Sequence, residues 1–141
     1  MSIPGNTKGV NRASIPFVIP INADGSATGT PSSESGSAPT NATQAALAAS
    51  AVIKATAGNL YGLSGYNSGP EQFIQLHDAA SLPADAAVPV HNIIVPAISN
   101  FSIDFGVYGM AFATGIVVCN SSTAETKTIG AADCQFFARY K

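Results

Sequence analysis

The sequence predicts an all-β protein: an antiparallel β-sandwich, jelly-roll-like, preceded by an extended N-terminal arm. Three observations carry this expectation. From residue 50 onward the apolar segments are short and most alternate with a period of two. Gly, Pro, Asn and Ser interrupt them about every ten residues. No long amphipathic helix separates them, and strands without helical crossovers pair antiparallel. The boundary implied is an arm and tether over 1–49 and a sandwich over 50–141.

The arm contains one apolar block, IPFVIPI, at 15–21. Pro16 and Pro20 prevent a stable helix and favour extended backbone. Ile15, Phe17, Val18, Ile19 and Ile21 are costly to leave in water. Burying five such side chains contributes on the order of 5–10 kcal/mol before ordering costs. Residues 22–43, NADGSATGTPSSESGSAPTNAT, then read as slack: 20 of the 22 are Gly, Ser, Thr, Ala, Pro or Asn. As a random coil this tether spans roughly 25 Å. The block is therefore read as a device for strand addition or clamping on a partner. The alternative is an N-terminal strand folded back on its own sheet, but that needs a 22-residue structureless loop, which compact domains seldom contain. In either case an arm strand completes an eight-stranded jelly roll, on its own domain or a neighbour's.

The body follows in order. In QAALAASAVIKATAG (44–58) alanine favours helix, but Val52, Ile53 and Thr56 are β-branched and Gly58 follows. Residues 44–49 are thus an extended or briefly helical lead-in, and 50–57 the first strand. NLYGLSGYN (59–67) is a strand stopped by Ser68-Gly69-Pro70. EQFIQLHD (71–78) sets Ile74 and Leu76 on one face and Glu71, Phe73, Gln75 and His77 on the other. After a loop at 79–87, VPVHNIIVP (88–96) is a strand flanked by prolines. NFSIDFG (100–106) points Phe101, Ile103 and Phe105 inward. MAFATGIVVC (110–119) is one strand with Met110, Phe112, Ile116 and Val118 on a single face. DCQFFARYK (133–141) alternates Cys134, Phe136, Ala138 and Tyr140 against Gln135, Phe137 and Arg139. That makes seven strands.

Composition narrows the function. Charged residues are 10% of the chain and the net charge is −2, against roughly 25% charged in an ordinary soluble domain. Lys8, Arg12, Lys54, Lys127, Arg139 and Lys141 are scattered, which argues against phosphate-backbone binding to nucleic acid. So little charge implies that much of the surface is covered in an assembly, or else that neutral Ser, Thr and Asn do the solvating; the assembly reading is preferred. The first 14 residues hold no uninterrupted apolar segment, and the longest apolar run, 110–119, is far short of a membrane span. The expectation is a soluble protein made in the cytoplasm. Cys119 and Cys134 have no metal-site spacing and are read as buried thiols rather than a disulfide.

No catalytic, cofactor or metal site is expected. Asp104-Phe105-Gly106 lacks the other motifs that give this triplet meaning in kinases. His77 and Asp78 are adjacent on a strand and point to opposite faces, and His77 is read as a surface residue. His91 has no nearby acid. There is no G-x-S-x-G and no phosphate-binding glycine loop. Glu71, Asp78, Asp85, Asp104, Glu125 and Asp133 are read as solvated surface charge. Phe73 and Phe137, on the polar faces of their strands, are candidate interface residues.

Residues 59–124 carry a sequence pattern: L-Y-G…Y-N-S-G, a strand ending L-H-D, a Pro-containing loop, an I-I-V-P strand, S-I-D-F-G and G-M-A-F-A-T-G-I. In this it resembles small virion proteins of tailed double-stranded DNA phages, the capsid cement or decoration proteins with jelly-roll-like sandwiches. The resemblance implies a structural role on the outer capsid of the virion. The partners it implies are the major capsid protein and further copies of the chain, a dimer first among the choices. That family has no catalytic residues to carry over. The arm lies outside the resemblance. A virion fibre, baseplate or carbohydrate-binding module is the alternative, with a small jelly-roll enzyme behind it.

Overall fold

The structure, a computed structural model, describes residues 38–141; the block at 15–21 and the tether as far as 37 lie outside the described residues. Nine strands follow: β1 (Thr40–Ala48), β2 (Ser50–Lys54), β3 (Gly58–Asn67), β4 (Gln72–Asp78), β5 (His91–Val95), β6 (Ser99–Asp104), β7 (Met110–Phe112), β8 (Ile116–Ser121) and β9 (Cys134–Tyr140). One sheet has the order β1-β9-β3-β6, with β7 also on β3; the second has the order β2-β8-β4-β5. Every pairing is antiparallel. Setting β7 aside, this is the two-by-four division of a jelly roll.

The alternation read from the sequence decides which residues meet between the sheets. Leu60, Leu63, Phe101, Phe136 and Ala138 from the first sheet pack against Ile53, Ile74, Leu76, Val95, Ile116 and Val118 from the second. The Phe101 and Phe136 rings lie 6.3 Å apart, tilted by 58°. Such an offset aromatic pair adds to what burial alone contributes.

The sandwich starts at Thr40, ahead of the boundary at Ser50 that the sequence suggests. Residues 40–43 belong to a strand and not to the tether, and 44–48 are extended rather than helical, as part of that same strand. β1 pairs with β9 from Thr40↔Tyr140 to Ala48↔Cys134. Its inward residues are small, Ala42 and Ala48. The strand is therefore held by the backbone ladder and by the partner's large side chains, so no alternation of bulky residues announces it. The eighth strand of the jelly roll thus comes from Thr40–Ala48, inside the segment read as tether and lead-in. Ala49 is the corner at which the chain passes from one sheet to the other.

Two further differences concern edges. Residues 110–119 form two strands, because the chain leaves β3 after Phe112 and enters the other sheet at Ile116. The corner is tied by Asp78, whose carboxylate accepts the backbone N–H groups of Ala113, Thr114 and Gly115. β6 and β7 are one edge strand in two pieces: β6 pairs with Gly62–Asn67 of β3 and β7 with Gly58–Leu60. Residues 105–109 loop out between them. The loop is turned at both ends by glycines in the left-handed region, Gly106 at φ 81° and Gly109 at φ 72°.

The second sheet is covered on its outer face as well. Gln75 donates to the carbonyls of Thr123, Ala124 and Thr126. Lys127 exchanges backbone hydrogen bonds with Ala86 and Ala87 and pairs its ammonium with Asp85. Residues 79–90 and 122–131 together form a strap over β4 and β8, and every residue of β8 is buried.

Candidate functional site

The groups with chemical potential are mostly engaged in structure. His77 is buried under the strap, a correction to its reading as a surface histidine: its face of β4 is the outer one, but the outer face is roofed. Burial, then the nearby Lys127 charge, lowers its pKa from the ordinary 6.5. Asp78 is held below its usual value by the N–H groups of Thr114 and Ala113 first, and Asp85 by the Lys127 hydrogen bond first. His91 packs edge-on against Phe105, ring centroids 5.5 Å apart. Asp104 caps its own turn through the Gly106 N–H. At one end of the sandwich Asn67, Gln72, Asn120 and Cys134 form a buried network with Asp133. Gln72 Nε2 reaches Asn67 Oδ1 at 2.6 Å and Asp133 Oδ1 at 2.8 Å, and Asn120 Nδ2 reaches the same Asp133 oxygen at 2.8 Å.

Both cysteines are buried and free. Cys119 pairs in register with Gln75 under the strap, whereas Cys134 belongs to the core between the sheets. Burial pushes the thiols up to about 11 and about 12 respectively, so neither is a ready nucleophile. Among the described residues no group of three or more His, Cys, Asp or Glu is placed to hold a metal ion.

The pKa shifts have a consequence for stability. His77, Asp78 and Asp85 bind protons more weakly folded than unfolded, so the stability they contribute is lost as the pH falls. For His77 the loss begins near the unfolded value of 6.5 and continues down to its lower folded value; the two carboxylates add theirs below about 3.8. Urea midpoints are expected to drop between about pH 7.5 and about pH 5, and His77→Gln is expected to flatten that window. An equal slope in the variant would remove His77 as the cause.

Among the described residues, two surfaces draw notice. The first is the β5/β6 side. The His91–Phe105 contact sets the approach to β5 beside the exit of β6. Val88 (73% exposed) and Val90 lie on the approach to β5, and Val107 (86%) and Tyr108 (89%) in the loop that leaves β6. Ile94 and Ile98 add to this apolar row, both more than half exposed. Ile98 holds φ at 50°, a costly conformation for a β-branched residue. Phe73 is the cross-strand partner of Ile94 and adds to this surface.

The second is a groove of about 410 Å³ on the outer face of the first sheet. Phe137 lies on its floor between Thr43 and Ser64 in register. A β-bulge between Leu60 and Gly62 brings Tyr61 into it. Arg139 and Asp104 stand on either side of Gly62, each its register partner. Asn41 and Ser102 complete the polar rim.

The two aromatic residues singled out in the sequence thus lie on opposite faces, Phe73 beside the β5 edge and Phe137 in the groove. Ile15, Phe17, Val18, Ile19 and Ile21 lie outside the described residues. The apolar row was missed because 88–96 reads as a continuous strand, whereas β5 starts only at His91. Comparison of the chain with protein-family models, curated proteins and solved structures finds no match.

Proposed function

We propose that this protein is a structural virion component, a capsid cement protein that binds the outside of a tailed-phage shell as a homo-oligomer and braces contacts between major capsid subunits. The observation that carries the reading is the apolar row on the β5/β6 side. Six exposed residues, Val88, Val90, Ile94, Ile98, Val107 and Tyr108, lie in β5, in the segments that flank it and in the loop that leaves β6. Single exposed aliphatic residues are ordinary, but a run of them on one side marks an interaction surface. Val107 and Tyr108 stand on a loop that two glycines turn and that the Asp104 carboxylate caps at its start. The scarcity of charge in the whole chain points the same way. The block at 15–21, outside the described residues, would supply a second contact.

Pelleting with purified capsids of the encoding phage tests this. The combined variant Val107→Ser and Tyr108→Ser is expected to weaken capsid binding by at least about tenfold while leaving the thermal midpoint unchanged, because both side chains are exposed in the free protein. Binding equal to that of the unaltered chain would sink the assignment of this surface.

A further inference from the structure

We infer that the groove on the outer face of the first sheet is a binding site for a neutral saccharide, independent of the proposed shell contact. Its floor and walls are carried by β9, β3 and β6, with β1 as one bank. β9 and β3 each have a partner on both sides, so their backbone hydrogen bonds are spent in the sheet. An added peptide strand therefore finds no ladder on the floor, and recognition falls to side chains alone.

Those side chains have the two chemistries that a pyranose presents. A pyranose ring has an apolar face of C–H bonds and a rim of hydroxyls, each both donor and acceptor. Phe137 and Tyr61, both half-buried, supply flat apolar surface for the face. Ser64 and Ser102 supply hydroxyls that donate and accept in turn. Arg139 supplies a donor fork suited to a vicinal hydroxyl pair, and Asp104 an acceptor through the carboxylate oxygen that the Gly106 N–H leaves free. Their Cα atoms are two strand spacings apart, roughly 10 Å, with only Gly62 between them. Their charges cancel across the gap, which disfavours a phosphate or a polyanion and leaves a neutral polar ligand as the best match. The volume lies within the range of about 300–1,000 Å³ usual for ligand sites. Among the described residues the Ser64, Ser102 and Arg139 side chains form no hydrogen bond, in contrast to the saturated network around Asn120.

Gly62 allows the site to be blocked without disturbing the fold. A Cβ added there would meet only the Ile103 carbonyl oxygen at 3.6 Å, an ordinary contact. The test is a titration of the full chain, followed by backbone amide NMR, with maltohexaose, cellohexaose and the hexamer of N-acetylglucosamine in turn. At least one is expected to give saturable shifts at Ser64, Ser102 and Phe137. Gly62→Val and Phe137→Ala are each expected to weaken that binding by at least about tenfold, the first with an unchanged thermal midpoint. Absence of saturable shifts at the groove with all three sugars would overturn the inference. So would shifts confined to residues 88–98, or a folded Gly62→Val chain that binds as well as the unaltered one.

Discussion

Phe136→Ala is expected to destabilise the sandwich by about 3–5 kcal/mol, a large share of the roughly 5–15 kcal/mol of a typical domain. Phe136 is fully buried and is the largest of the fully buried side chains among the described residues. Its ring lies against Phe101 and within a cluster fed by both sheets. Removing it forfeits the transfer term and leaves a cavity, because the surrounding β-branched residues are stiff at χ1 and collapse poorly. The adjacent Phe137→Ala is expected to cost far less, since its ring is half-buried in an open groove. Urea unfolding of the two variants side by side checks the parity of β9 directly. Equal losses would mean that the strand is out of register.

A chain beginning at Ser50 is expected to be less stable than one beginning at Ala38 by roughly 1–6 kcal/mol, counting six lost cross-strand pairs at about 0.2–1 kcal/mol each. The shorter chain lacks β1. It leaves the N–H and C=O groups of β9 unpaired along a new edge and opens a route for aggregation. Urea midpoints of the two truncated chains, with light scattering for association, provide the measurement. Identical midpoints would mean that Thr40–Ala48 contributes nothing to the sandwich. The same reasoning limits any N-terminal deletion: one meant to spare the sandwich has to stop before Thr40, because cutting through Thr43 takes the first four residues of β1 with it.

The sequence made most of the body legible, because bulky residues alternate there with small or polar ones. Ile74 and Leu76, Phe101 and Ile103, and Phe136 and Ala138 all point to the core as their spacing predicts. β1 was not legible, because a strand whose inward side chains are Ala42 and Ala48 leaves no hydrophobic period to detect. The strap was not legible either. Gln75 and His77 stand at polar-face positions and become buried only because residues some 50 positions further along return to cover them. The break between β6 and β7 is a third case: Gly106 and Gly109 signal a turn, yet the two strands pair with consecutive stretches of one neighbour. For the candidate surfaces, Phe73 and Phe137 were visible as aromatic residues on polar faces. Placing Arg139 and Asp104 on either side of Gly62 required the pairing of three strands, which a single sequence does not specify.

Hydrogen exchange on the free protein and on the capsid-bound protein tests the central proposal most directly. Slower exchange on binding is expected in β5 and its flanks, residues 88–98, and in the loop at 105–109, with the strap at 122–131 unchanged. Capsid-bound protein that shows no added protection at 88–98 or 105–109 would contradict the account.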